Sequence, residues 1–344
     1  MVKGNQSVMM KQRLEYIDLA KGFAMLMVVY IHISINYADN PFADSWVRRM
    51  MGSMFMPIFF IMSGFFFSVK QPFRDWVKKK TKRLIVPFLV FYLLTYLMNC
   101  VLCGLLHVQT KNEFHYGDLF QVFFRDVFAN NVIWFLLALF WSSVILYVIA
   151  KNGRGRIWQT LLVVILGGGG KILGDYELNI PLYIDTALTA LPFVYIGYLV
   201  KEYEVLARVS VMPKNKRVTL MLLVFVVGFI LDYFFGQGAS MVNNMQPSAS
   251  RFYGCGVVGS LSVLALSNMI GKLPLVSFVG RHSILVLCTQ MYLINLFVKL
   301  TNRFFGSLGY YPASLLVLLL VCVSYYALVP LVNRYVPWII GEKK

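Results

Sequence analysis

Three ionisable residues near the start of the chain lie where their surroundings do not invite them. The stretch "YIDLAKGFAMLMVVYIHISINY", residues 16–37, is mostly apolar, yet it contains Asp18, Lys21 and His32. Ionisable groups inside an apolar span are costly and normally face a bundle interior or a water-filled cavity. If the stretch is helical, the eleven positions from Lys21 to His32 amount to about three turns plus ~20°. Both side chains then share one face, ~16 Å apart along the axis. An ammonium at one end of such a line suits an anionic group. An imidazole at the other, with an ordinary pKa near ~6.5, suits removal of a proton from a hydroxyl at neutral pH. Asp18 is placed to pair with Lys21, and Asn36 to hydrogen-bond the imidazole and fix its tautomer. The plainer alternative, a satisfied interior histidine, stays open at this point.

Other segments add polar groups. "MPIFFIMSGFFF" at 56–67 carries Pro57, Ser63 and Gly64, small or kinking residues that permit close backbone approach. "KKKTKRLIVP" at 78–87 brings Lys79, Lys80, Lys82 and Arg83 to the start of an apolar run. Cations at a helix start oppose its dipole, so either topology or an anionic ligand must account for them. Asp185 and Asp232 fall near the ends of their runs, where Arg251 could approach them. "GGGGKI" at 167–172 lacks the Ser or Thr and the first Gly of a phosphate loop. Cys100 and Cys103 form a C-x-x-C inside an apolar run, where packing is the simpler account. Neither a disulfide nor a metal site is expected.

The elements that must position these residues follow from composition. Of 344 residues, 59% are hydrophobic and 14% charged, with a mean hydropathy of +0.68. Soluble domains lie near ~45–50% and ~25%, so the chain reads as a polytopic membrane protein. Ten apolar runs are long enough to cross hydrocarbon as helix: 16–37, 47–69, 83–106, 131–150, 157–174, 181–200, 218–235, 252–270, 281–299 and 313–333. The first is too long for a signal-peptide core and is expected to be the first span. With the N-terminus inside, 23 lysines and arginines plus Lys21 fall on the cytoplasmic side and eight outside. That asymmetry predicts both termini in the cytoplasm. The net charge of +17 is then a property of the cytoplasmic face and not a nucleic-acid footprint. The expected fold class is all-α, a bundle of about ten transmembrane helices. Residues 1–15 form a short basic cytoplasmic tail and 16–340 one transmembrane domain. The longest outer loop, about 107–130, contains "DLFQVFFRDVF", amphipathic enough to lie at the interface or fold back into the bundle.

Several segments together resemble the bacterial acyltransferase-3 family of integral-membrane O-acyltransferases. "DLAKGFAMLMVVYIH" is similar to its opening segment and to its Arg/Lys-x10-His pattern, with Lys21 and His32 in the two places. "FFIMSGFFF" resembles the Ser-Gly-Phe/Tyr segment, and "KKKTKRLIVP" the Arg-rich stretch ending in Pro, with Arg83 nearest the family arginine. "WFLLALF", "FVYIGYLVK" and "VGRHSILVLCTQ" are also family-like. Lys21 departs from the commoner Arg, and Gln290 stands where many members carry His. The resemblance implies transfer of an acyl group, usually acetyl, from cytosolic acyl-CoA to a sugar hydroxyl of an envelope or exopolysaccharide glycan on the outer side. It implies a multi-pass protein of the bacterial plasma membrane. Lys21, Arg83, Lys82, Lys80 and Lys79, with Ser63 and Gly64, would hold the donor; His32, oriented by Asn36, would be the general base. The implied partners are acyl-CoA, a glycan acceptor and membrane lipid, with no nucleic acid and with a second copy of the chain left open. A transporter of a glycan or lipid-linked sugar is the alternative; it would call for discontinuous helices in two matching halves.

Overall fold

A computed structural model describes residues 2–37, 40–42, 45–105, 115–124, 130–152, 155–236, 239–246 and 248–341. An apolar run in lipid must satisfy its backbone groups internally, and a single chain segment does this as helix. The apolar runs accordingly form helices: α1 (Val2–Ser34), α2 (Trp46–Phe65), α3 (Phe73–Lys80), α4 (Val86–Asn99), α5 (Trp134–Lys151), α6 (Arg156–Asp175) and α7 (Ile184–Glu202). The remainder are α8 (Val205–Ser210), α9 (Lys214–Phe235), α10 (Ala249–Ile270), α11 (Pro274–Arg281), α12 (Ser283–Phe304) and α13 (Tyr310–Tyr335). Among the described residues no strand forms beyond one antiparallel bridge, Ser240 to Met245. The protein is an all-α polytopic membrane protein.

Nine stretches among the described residues are long and apolar enough to cross a membrane. The expected second span forms as α2 but is not one of the nine: Arg48 and Arg49 stand in its first turn and dilute its apolar content. Two helices outrun the hydrocarbon. The stretch Phe73–Cys103 has 31 residues, ~46 Å of helix against a core of ~30 Å. In α1 the apolar part, Glu15–Ser34, continues a helix that begins at Val2, so the expected basic tail is helical.

The chain divides into two compact units, each assembled from segments distant in sequence: 1–62, 199–239 and 247–330 in unit 1, and 63–198, 240–246 and 331–344 in unit 2. In unit 1, α1 packs on α10, α11 and α12, and α9 on α10. The contact of α1 with α11 is a backbone approach at two glycines. A methyl on Gly22 would run into the Val276 carbonyl, and one on Gly280 into that of Asp18. Small residues at such crossings are how membrane helices gain close packing. Farther along, the Tyr30 hydroxyl is 3.3 Å from the Ser314 hydroxyl, and Tyr325 is 3.0 Å from Thr289.

The end of α1 is closed by polar side chains. Ser34 Oγ donates to the Ile31 carbonyl (2.7 Å), Asn36 Nδ2 to that of His32 (2.8 Å), and Asn40 Nδ2 to that of Ser34 (2.8 Å). These are carbonyls of the last turn, where side chains supplement or replace the backbone donors that run out at a helix terminus.

In unit 2, α3 runs into α4 through a widened π-turn, Thr81–Ile85. A 3₁₀ turn at Pro337–Ile340 leads to Gly341, which has a φ of +76°. A Cβ there would lie 2.8 Å from the Arg83 Cα, so the turn sits directly on the π-segment. Gly64 packs on the Val194 carbonyl of α7, as the small residues of the Ser-Gly segment led us to expect. Next to it Phe67, Trp76, Tyr147 and Tyr198 form an aromatic cluster, and Tyr147 ties it to the chain through the Gln71 carbonyl (2.6 Å). The four glycines of "GGGGKI" lie inside α6. Of the amphipathic segment 107–130, Tyr116–Phe124 forms a 3₁₀ helix whose Asp118 and Leu119 carbonyls accept from the Tyr92 hydroxyl, both at 3.0 Å. It folds back onto α4; the segments on either side, 106–114 and 125–129, lie outside the described residues.

Candidate active site

The residues singled out by type and spacing fall in both units, and each group is described within its own. In unit 1, α1 is unbroken from Lys21 to His32, so helical geometry sets the two on one face ~16 Å apart along the axis. Both side chains are half-buried. Among the described residues no hydrogen bond reaches the His32 ring. The partner expected for it, Asn36, instead donates to the backbone carbonyl of His32 (2.8 Å) and so caps the helix. A side-chain amide four residues on reaches that carbonyl more easily than a ring projecting sideways from the axis.

Asp18 also differs from expectation. Its carboxylate meets Arg281 of α11 (3.5 Å) rather than Lys21. One turn earlier, Glu15 pairs with Lys272 (3.1 Å). The two bridges and the Gly22–Gly280 approach fasten the same pair of elements, so "DLAKG" and "VGRH" are halves of one contact. Sequence spacing could not reveal Arg281, because the pairing links residues far apart in the chain.

The basic run in unit 2 divides by exposure. Lys79, Lys82 and Arg83 are exposed, and among the described residues none makes an ion pair. Lys80 turns the other way. Its Nζ is 3.4 Å from Ser143 Oγ and 5.7 Å from the centroid of Trp76, which takes it out of the exposed row. Ser63 is half-buried, and Gly64 is committed to its contact with α7.

An apolar cavity of about 450 Å³ in unit 1 is lined by Phe23, Leu26, Met27 and Tyr30 of α1 with residues of α2 and α13. Those four stand ~140–240° around the helix from Lys21. The cavity therefore lies behind α1 and away from the Lys21–His32 line.

The chain is a multi-pass membrane protein with an imidazole and an ammonium on one face of a spanning helix. Comparison with protein families gives its class: the family model described as an acyltransferase domain matches residues 14–327. The chain belongs to the acyltransferase-3 family and is an acyltransferase. Comparisons with curated proteins and with solved structures gave no match.

Proposed function

We propose that this protein is an O-acyltransferase of the bacterial inner membrane that moves an acyl group, acetyl above all, from cytosolic acyl-CoA to a sugar hydroxyl of an envelope or exopolysaccharide glycan on the outer side. The observation that carries this reading is the half-buried imidazole of His32, without a hydrogen bond among the described residues, on one unbroken helical face with Lys21. A histidine kept for packing is normally hydrogen-bonded when buried; an imidazole without such a bond suits one that receives an incoming hydroxyl. His32 takes the hydroxyl proton as the acceptor oxygen attacks the thioester carbonyl. The tetrahedral intermediate collapses with loss of the thiolate, which takes up a proton, leaving an ester and free CoA.

The length of the donor suits the line. A nucleotide head bound at the Lys21 end and a slim arm ~16 Å long would bring the thioester to His32. In unit 2, Lys79, Lys82 and Arg83, exposed and in no ion pair among the described residues, are proposed as cations that attract the anionic donor. Basic residues gathered on one side support a cytosolic donor; the outward acceptor rests on His32 lying at the other end.

The test is transfer from labelled acetyl-CoA to a panel of envelope sugars in proteoliposomes, with His32→Ala and His32→Gln beside the wild type. Proton abstraction predicts a loss on the order of ~10²–10⁴-fold in both, with CoA affinity kept. For the wild type, kcat/KM should fall as pH drops and the imidazole becomes protonated. Near-normal transfer by His32→Gln would return the residue to a packing role.

A further inference from the structure

Unit 1 contains buried polar groups that the fold does not use. The carboxamide of Gln290 is fully buried, and among the described residues neither its Oε1 nor its Nε2 has a hydrogen-bond partner. The hydroxyl of Ser277, 2% exposed, has none either. A buried amide or hydroxyl left unbonded costs ~1–3 kcal/mol for each group, and native interiors hold few of them. Both belong to elements packed on α1. Ser277 follows Val276 and precedes Gly280, the two points where α11 touches Gly22 and Asp18, so it lies at the level of Lys21. Gln290 is on the buried stripe Leu287, Gln290, Ile294, Val298 of α12. It is seven residues, ~10 Å, beyond the start of that helix.

We infer that Ser277 and Gln290 bind the arm of the acyl donor as it runs from the Lys21 end toward His32. The inference rests on the proposed acyl-CoA activity. The chemistry fits: the arm of coenzyme A carries two secondary amides, each offering one N–H and one carbonyl. A carboxamide supplies a donor and an acceptor, and a hydroxyl supplies either. A purely hydrocarbon ligand would leave all these groups as costly as before. A free anion would leave the Gln290 oxygen unbonded.

The experiment compares Gln290→Met and Ser277→Ala with the wild type, measuring affinity for CoA and for adenosine 3′,5′-bisphosphate, which resembles the head but lacks the arm. The unfolding midpoint without ligand is read alongside. Met keeps the length of Gln and removes both unbonded polar atoms, so the ligand-free Gln290→Met protein should be at least as stable as the wild type. Its CoA affinity should drop about tenfold, equal to ~1.4 kcal/mol, while affinity for the bisphosphate stays unchanged. Ser277→Ala should show the same pattern, more weakly. Unchanged CoA affinity would overturn the inference, as would a lowered midpoint or a variant that cannot be purified, because each means that the amide serves the fold. Equal losses for CoA and bisphosphate would place the groups at the head and equally exclude the arm. Absence of CoA binding by the wild type is a separate result that removes the acyl-CoA reading itself.

Discussion

Units 1 and 2 both carry cations at or near the ends of short helical elements, and they treat them in opposite ways. In unit 1, Arg281 and Lys272 are met by Asp18 and Glu15, at the point where α11 closes on α1. In unit 2, Lys79, Lys82 and Arg83 are exposed on the overlong Phe73–Cys103 helix and make no ion pair among the described residues, whereas Lys80 turns inward, to Ser143 and Trp76. Paired charges fix one helix against another. Unpaired ones on a projecting helix raise the local potential and attract anions. Identical residue types thus stand in different surroundings, paired across two helices in one unit and in no ion pair among the described residues in the other.

The comparison can be broken at the glycine contacts first, where the effect should be largest. Gly280→Ala in unit 1 and Gly64→Ala in unit 2 each push a methyl into a backbone carbonyl. Each should cost ~1–3 kcal/mol, read as a lowered unfolding midpoint in detergent. Midpoints equal to wild type in both would mean that the helices are not held at those approaches.

Cation removal sharpens the contrast. Replacing Lys82 and Arg83 together by Ala should weaken CoA binding about tenfold at low ionic strength while leaving the midpoint in place. The gap to wild type should narrow as salt rises, because exposed charges are screened within a Debye length of ~10 Å at 0.1 M. Arg281→Ala should do the reverse, sparing affinity and costing at most ~1 kcal/mol of stability, since its bridge is partly exposed. Equal affinity losses from both changes would erase the distinction between structural and ligand-facing cations.

A comparably small effect is expected at Asn36. As a cap of α1, its loss to Ala should cost about 1 kcal/mol of stability, the scale of one hydrogen bond. The pH profile of transfer should not move. A shifted profile with an unchanged midpoint would restore Asn36 to the imidazole.

Much of this architecture was legible in the sequence, because a membrane leaves an apolar run of twenty residues little choice but helix. The line from Lys21 to His32 could be read for the same reason: once α1 is helical, spacing becomes direction. Local spacing failed where the partner was distant or the backbone departed from a regular helix. Asp18 had a lysine one turn away and went to an arginine on α11. Lys80 looked like one more member of a basic run, but the indole of Trp76 and the Ser143 hydroxyl lie on its side of the helix. Arg48 and Arg49 kept α2 from matching its neighbours in apolar content, although the helix formed as expected.

The π-turn at Thr81–Ile85 has a consequence of phase. A π-turn accommodates one residue more than the α-helix it interrupts, and one residue corresponds to ~100° of rotation. The direction in which Lys78 and Lys79 point is therefore not inherited from the apolar face of α4, which lipid and neighbouring helices dictate. It is offset from that face by a single inserted position, with the Pro337–Gly341 turn seated against it. Removing one residue from the turn would let α3 and α4 join as an ordinary helix with its membrane contacts intact, and would swing the cations about a quarter turn around the axis of that helix.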